Sequence, residues 1–111
     1  MTILIVDDSR DEQELLSTRL RAAGYRSLMV ADSAEAAFGM LGLDRAGQRT
    51  EEIDLILMDI MLPGVDGLEA CRRIKATEWL QDIPIIVITV KTDEQDLLTA
   101  FAAGAMDYIR K

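Results

Sequence analysis

The chain has 111 residues, half of them hydrophobic, and a formal net charge of −8 from 20 acidic and 12 basic residues. This length suits a single domain with a sizeable core, and the negative charge argues against binding to nucleic acid or to an anionic membrane. A lone cysteine excludes an internal disulfide and fits a reducing compartment. Because no stretch has the length of a membrane span or the pattern of a secretory leader, we expect a cytoplasmic domain.

Strand and helix patterns alternate along the first half of the chain. The apolar run at residues 3–6 is typical of a buried parallel strand. A helix is predicted to follow it and to end at Gly24, because leucines recur at helical spacing before that glycine. A second strand is predicted over residues 25–31. Asp32 and Glu35 then have the spacing of a capping box at the start of a second helix.

The same alternation continues in the second half. A third strand is predicted over residues 54–58, and Asp66 is placed to cap the helix that follows it. A fourth strand is predicted over residues 85–90, a fourth helix over residues 93–103 and a fifth strand over residues 106–111. The fourth helix is expected to point three large apolar side chains inward: Leu97, Leu98 and Phe101.

This alternation predicts a parallel sheet covered by helices. Five predicted strands come with only four helices, and the sequence stops on the last strand, which leaves part of one sheet face uncovered. We expect a fragment of a longer protein rather than a domain whose open face is covered by a partner. Residues 42–52 are polar and longer than a usual helix-to-strand link, so they are predicted to form a surface excursion. Cys71 lies on an inward stripe and is expected to be a core residue.

Three carboxylates follow two of the predicted strands. Asp7 and Asp8 follow the first strand, and Asp59 follows the third. The carboxyl ends of the strands form the ligand crevice of an open α/β sheet, so the three acids meet there if the two strands are neighbours. Each pair would then repel by roughly 3 kcal/mol at about 6 Å and an effective dielectric of about 20. A hard divalent cation, Mg²⁺ first of all, would remove that cost.

Two further strand ends can supply groups for phosphoryl chemistry. Asp59 beside a cation is a candidate nucleophile, since carboxylates form acyl phosphates in several enzyme classes. Such a site also needs a hydroxyl and a fixed cation for the phosphoryl oxygens. Thr89, near the end of the fourth strand, can supply the hydroxyl, and Lys111, at the end of the fifth, can supply the cation.

These positions give the sequence a strong resemblance to the response-regulator receiver domains of two-component signalling. The resemblance runs over residues 3–111 and is carried by the acid pair, by Asp59 with residues 62–67, by residues 84–89 and by residues 103–111. The spacings of 30 residues from Asp59 to Thr89 (89 − 59) and 22 from Thr89 to Lys111 (111 − 89) suit that family.

The resemblance implies a fold and a domain organisation. The fold is a flavodoxin-like, doubly wound, five-stranded parallel sheet with strand order 2-1-3-4-5, here without the fifth helix. Residues 1–111 would form one receiver domain, the N-terminal part of a longer response regulator. A C-terminal effector domain would then follow outside this chain.

The resemblance also implies how the metal and the phosphoryl group are held. Asp59 would accept a phosphoryl group from a phosphohistidine on a partner. Asp8, Asp59 and the backbone carbonyl of Met61 would bind Mg²⁺, or Mn²⁺, directly, and Asp7 would bind it mostly through water. Lys111 would pair with a phosphoryl oxygen.

Two residues form the implied switch. The Thr89 hydroxyl would turn towards the phosphoryl group, and Tyr108 would follow from an outward to an inward rotamer. This movement would change the output surface built by the fourth helix and the fifth strand. Val90 stands where the family usually has a smaller residue, often alanine, so we expect it to hinder phosphodonor access or the movement of the threonine.

The implied partners are a sensor histidine kinase or a phosphotransfer protein. Homodimer formation stays open, and no direct binding of this domain to nucleic acid or membrane is expected. The domain is not expected to be an enzyme in its own right. It would accept the phosphoryl group and assist its own phosphorylation and dephosphorylation.

Three other functions fit parts of the pattern. A haloacid-dehalogenase-type phosphohydrolase needs a second Asp two residues after the nucleophile, where this chain has Met61. A flavodoxin-like mononucleotide binder needs a phosphate-cradling loop after the first strand, where Asp7 and Asp8 would repel a phosphate. A degenerate receiver that docks without phosphorylation is supported only by Val90 and by the position at which the sequence stops.

Overall fold

A computed structural model describes residues 1–43, 53–89 and 94–110 of the chain. Within these ranges, strands and helices alternate in the predicted order. They are β1 (Thr2–Val6), α1 (Arg10–Ala22), β2 (Ser27–Ala31), α2 (Ala34–Leu41), β3 (Leu55–Asp59), α3 (Gly67–Ala76), β4 (Ile85–Thr89), α4 (Glu94–Ala102) and β5 (Asp107–Arg110). Most of the predicted surface excursion at residues 42–52 lies outside the described residues, as do Val90 and Lys111.

The strands form one parallel sheet in the order β2-β1-β3-β4-β5. This confirms the predicted strand order 2-1-3-4-5. The order reverses between β1 and β3, which are adjacent although β2 lies between them in sequence. In a doubly wound sheet the ligand crevice lies at this switch point, outside the carboxyl ends of the strands. None of the described helices is long and apolar enough to cross a bilayer.

The sheet buries apolar side chains on both faces. Because successive side chains of a strand point to opposite faces, Leu4 and Val6 of β1 join a large core cluster with α2, α3 and α4. Ile3 and Ile5 join a smaller cluster on the other face, together with the buried side chains of Leu57 and Ile88. Leu16 and Leu20 of α1 pack against this cluster. Helices therefore cover both faces of the sheet, as predicted.

Two helix starts can be compared with the predictions. The Asp66 carboxylate accepts a hydrogen bond from the Glu69 amide at 2.8 Å, so the predicted cap of α3 is confirmed. The predicted capping box at the start of α2 is wrong. Ser33 is the cap, and its hydroxyl accepts a hydrogen bond from the Ala36 amide at 3.0 Å. Asp32 and Ser33 are both capping residue types, and the helix begins one residue later than expected.

The predicted orientation of α4 is wrong for two of its three large side chains. Leu98 is 55% exposed and Phe101 is 42% exposed. Ala100 and Ala103, which are three residues apart and therefore on one side of the helix, are buried instead. The small side chains allow α4 to pack directly on the core, whereas the large ones face solvent or β5.

Candidate functional site

The acidic site lies at the carboxyl ends of β1 and β3. Val6 of β1 pairs with Met58 of β3, so Asp7 and Asp59 are the next residues on two neighbouring strands. Asp7 is fully buried and Asp59 is 4% exposed, whereas Asp8 is exposed. The Asp7 amide donates to the Ala31 carbonyl at 3.1 Å, which continues the pairing of β1 with β2 by one residue. The predicted convergence of strand ends is therefore present.

Carboxylate oxygens of Asp7, Asp8 and Asp59 lie within 4.8 Å of one another. Two of these side chains are oriented by backbone donors: the Ser9 amide donates to Asp7 Oδ1 at 2.9 Å, and the Met61 amide donates to Asp59 Oδ1 at 3.0 Å. Hard oxygen donors at this spacing fit a divalent cation such as Mg²⁺, Mn²⁺ or Ca²⁺. The cluster can therefore hold a metal ion.

The loop after β1 is fixed by its own hydrogen bonds. Ser9 caps α1, and its hydroxyl accepts from the Glu12 amide at 3.4 Å. The Gln13 side-chain amide donates to the Asp7 carbonyl at 2.6 Å. Asp7 is therefore not the helix cap, and its side chain is turned towards the other two acids.

Gly67 supports the site, a role that the sequence pattern of residues 62–67 did not reveal. It is the first residue of α3, and its amide donates to the Ile60 carbonyl at 3.1 Å. A Cβ at this position would collide with the Asp59 carbonyl oxygen and would lie 2.8 Å from Ile60 Cα. Only a glycine lets the start of α3 lie this close to the backbone of Asp59. A glycine directly after the Asp66 cap, where a better helix former would be expected, was the available signal.

Thr89 is the last residue of β4 and is fully buried. Ile88 pairs with Asp59, so Thr89 lies one residue further towards the carboxyl edge on the strand next to β3. Lys111 lies outside the described residues, and its place at the site stays a prediction. The same holds for Val90.

Two cavities border Asp8, the exposed acid of the cluster. A cavity of about 490 Å³ on one side of Asp8 is bounded by the loop between β3 and α3, with the side chain of Met61 54% exposed. A second cavity of about 450 Å³ on the other side of Asp8 is bounded by the starts of α1 and α2 and the end of β2. Both cavities therefore open onto Asp8, whereas Asp7 and Asp59 lie beneath the surface.

Tyr108 lies on β5, opposite Val87 of β4. Its side chain is 38% exposed and packs edge to face against Phe101 of α4, with ring centroids 6.1 Å apart and planes at 75°. The tyrosine is therefore in an outward position, on the surface and not at the acids.

Cys71 lies in the core and takes no part in the site. It is fully buried, as expected. Burial raises the pKa of its thiol to about 12, with smaller opposing effects from Lys75 and Arg72. The side chain is therefore a protonated, unreactive thiol at neutral pH.

Comparison with known proteins agrees with the fold and identifies the family. The family model described as "Response regulator receiver domain" matches residues 3–111. The phosphate regulon transcriptional regulatory protein PhoB of Pseudomonas aeruginosa is 42% identical over 110 residues, which are 99% of this chain and 44% of PhoB.

Two solved structures show the same similarity. The N-terminal domain of a response regulator receiver protein from Methanoculleus marisnigri is 33% identical, with a TM-score of 0.84 over 99% of this chain and 83% of that chain. The Mn²⁺-bound form of response regulator Rcp1 is 28% identical, with a TM-score of 0.85 over 99% of this chain and 80% of that chain.

The chain belongs to the response regulator receiver domain family, as the sequence resemblance predicted. It is a receiver domain of two-component signalling, and the curated relatives include a transcriptional regulatory protein and DNA-binding response regulators. The chain spans less than half of the length of the curated relatives, 44% of PhoB and 42% of the Bacillus subtilis protein YvrH.

Proposed function

We propose that the chain is a phosphoacceptor domain in which Asp59 takes a phosphoryl group from a phosphohistidine on a sensor kinase or phosphotransfer protein. The observation that carries this proposal is the convergence of the Asp7, Asp8 and Asp59 carboxylates within 4.8 Å, at the carboxyl edge of a receiver-family sheet. The chain has no histidine, so the phosphohistidine must belong to another protein or domain.

Mg²⁺ is the proposed cofactor, with Mn²⁺ as a substitute. Asp8, Asp59 and the Met61 carbonyl would hold it directly, and Asp7 would hold it through water. A bound divalent ion neutralises the carboxylates and the oxygens of the incoming phosphoryl group. The fit rests on the oxygen donors and on their spacing.

Asp59 is the proposed nucleophile. One carboxylate oxygen forms a bond to phosphorus while the P–N bond of the phosphohistidine breaks, and the imidazole nitrogen keeps the electron pair and takes up a proton. The hydrogen bond from the Met61 amide to Asp59 Oδ1 orients the carboxylate before the donor arrives, which lowers the barrier by positioning. Water later attacks the phosphorus of the acyl phosphate, which breaks the bond to Asp59, releases inorganic phosphate and restores the free carboxylate.

Thr89 and Lys111 are proposed to hold the transferred group. The Thr89 hydroxyl would donate to one phosphoryl oxygen, and the Lys111 ammonium would pair with another. The movement of Thr89 would make room for Tyr108 to turn inward from its position beside Phe101, and so would alter the surface of α4 and β5. Support for this step comes from the burial of Thr89 next to Asp59 in the sheet and from the outward position of Tyr108.

The proposed protein is longer than this chain. Residues 1–111 would be the N-terminal receiver domain of a cytoplasmic response regulator, and a C-terminal effector domain would read the switch. The 44% coverage of PhoB, a transcriptional regulatory protein, supports this organisation.

Intact mass spectrometry tests the proposal. With Mg²⁺ and acetyl phosphate, the wild-type chain should gain the mass of one phosphoryl group, and Asp59→Asn should gain none. Asp32→Asn is the matched control, because Asp32 is an exposed acid just after β2, which is separated from β3 by β1. A wild-type chain that stays unmodified, or equal labelling of Asp59→Asn, would contradict the proposal.

A further inference from the structure

We infer that Phe101 is a positioning residue that holds Tyr108 in its outward rotamer and so sets the resting balance of the switch. This inference rests on the proposed function, in which Tyr108 turns inward after Asp59 is modified. It adds Phe101 of α4 to the switch, because the Tyr108 ring must break its contact with the Phe101 ring when it turns inward. Phe101 does not touch the acids, and its effect is exerted through Tyr108 alone.

The two rings have the geometry of an attractive aromatic pair. Their centroids are 6.1 Å apart, and their planes meet at 75°, so that the edge of one ring faces the other. Edge-to-face pairs at 4.5–7 Å are stabilised by the ring quadrupoles beyond the burial of area. Phe101 is 42% exposed and Tyr108 is 38% exposed, so the pair lies on the surface and covers part of each ring.

The packing of α4 does not require a large side chain at position 101. The helix is anchored by the buried side chains of Ala100 and Ala103. Phe101 extends from the helix towards β5, where Tyr108 provides its ring contact. The bulk of Phe101 is therefore explained by the tyrosine and not by the core.

The pair stabilises one rotamer selectively. Tyr108 lies opposite Val87, two residues before Thr89 on β4, so an inward turn would carry its ring towards Thr89 on the same face of the sheet. The edge-to-face contact with Phe101 belongs to the outward position. An interaction present in only one of two states shifts their ratio by its full strength. Edge-to-face pairs of this kind correspond to about a two- to twelvefold change in the ratio of outward to inward tyrosine.

Fluorine NMR of 3-fluorotyrosine-labelled protein can measure this ratio. The chain has two tyrosines. Tyr25 lies just before β2, at the opposite edge of the sheet from β5, and serves as an internal reference. A Tyr25→Phe variant assigns the Tyr108 resonance. The resonance is followed with Mg²⁺ alone and then during a titration with beryllofluoride, which mimics a phosphoryl group on Asp59.

Three variants separate the ring contact from general effects. Phe101→Leu removes the ring but keeps an apolar side chain, and it should move the Tyr108 resonance towards its beryllofluoride position before any beryllofluoride is added. The beryllofluoride concentration that produces half of the full shift of the Tyr108 resonance should fall by about two- to twelvefold. Phe101→Tyr keeps a ring and should retain the wild-type position of the Tyr108 resonance and the wild-type beryllofluoride midpoint. Leu98→Ala removes exposed apolar area from the same helix and should also leave both values unchanged.

The outcomes distinguish this inference from the proposed function. An unchanged resonance and midpoint in Phe101→Leu would overturn the role of Phe101. If beryllofluoride moves no resonance in any variant but Phe101→Leu still displaces Tyr108, the ring contact is supported and the phosphoacceptor proposal fails. If Leu98→Ala acts as strongly as Phe101→Leu, the effect is not specific to the aromatic pair and the inference is wrong.

Discussion

The acidic edge and the α4–β5 surface of this domain are built in opposite ways. The acidic edge, formed by Asp7, Asp8 and Asp59, has two buried carboxylates, each oriented by a backbone amide. The α4–β5 surface is lined by large apolar side chains that are 38–66% exposed, namely Leu98, Phe101, Met106, Tyr108 and Ile109. The first region is fixed before it binds anything, and the second has side chains that can change position without opening the core.

Two glycines show the same difference at the level of the backbone. Gly67 lies against the backbone of Asp59 and Ile60, which cannot move without displacing the acidic edge. Gly104, just after α4, has φ +107° and lies against the side chain of Lys75. A substitution at Gly67 should therefore disturb the site, and a substitution at Gly104 should not.

The largest effect is expected for Gly67→Ala. The added Cβ collides with the Asp59 carbonyl oxygen, so α3 or the end of β3 must shift. We expect the free energy of unfolding to fall by about 3 kcal/mol, as for overpacked cores. We also expect weaker Mg²⁺ binding. Urea denaturation and Mg²⁺ titration measure the two quantities.

Gly39→Ala is the control for the Gly67 substitution. Gly39 is also in a helix, but a Cβ there would meet nothing within 4 Å. This variant should gain about 0.5–1 kcal/mol, because alanine is the better helix former. If Gly67→Ala is as stable as the wild type and binds Mg²⁺ equally well, the close packing of α3 on Asp59 does not support the site.

Mg²⁺ should stabilise the wild type through the acidic edge. At a concentration of about 100 times its dissociation constant, a ligand that binds only the folded state adds roughly 2.7 kcal/mol. Asp8→Ala should lose most of this gain, and Asp32→Ala should keep it. Melting temperatures with and without Mg²⁺ measure the difference. An equal gain in Asp8→Ala would mean that the ion binds elsewhere.

A smaller effect is expected for Gly104→Ala. Alanine is strained at this φ, and its Cβ would lie 2.6 Å from Lys75 Cγ. The lysine cannot simply swing away, because its ammonium donates to the carbonyls of Gln81 at 2.9 Å and Ile83 at 2.7 Å. Lys75 is half-buried, and this burial lowers the pKa of its ammonium group.

The expected loss for Gly104→Ala is about 1–2 kcal/mol in the free energy of unfolding, with no change in Mg²⁺ affinity. Urea denaturation and the same Mg²⁺ titration check it. A loss of Mg²⁺ affinity equal to that of Gly67→Ala would show that the two regions are not independent in the resting state.

The sequence allowed the sheet and the acids to be predicted for clear physical reasons. Buried parallel strands are short apolar runs, and the residues that follow them fall at one edge of the sheet, which brought Asp7, Asp8 and Asp59 together. The family resemblance supplied the strand order, since alternation alone does not choose among topologies.

Other features depend on tertiary contacts that a single sequence does not display. Helix α4 carries apolar residues on two sides, so the spacing of Leu98 and Phe101 suited the core as well as that of Ala100 and Ala103 did. The need for glycine at position 67 arises from the backbone of a distant strand. The cap of α2 was misplaced because two adjacent residues can both perform that task.

The most direct test of the coupling between the two regions is a comparison of backbone amide chemical shifts before and after beryllofluoride is added to ¹⁵N-labelled protein already saturated with Mg²⁺. We expect large shifts at the acidic edge together with shifts along the α4–β5 surface, and neither in Asp59→Asn. Shifts confined to the loops around Asp59, with α4 and β5 unchanged, would contradict the coupling between the two regions.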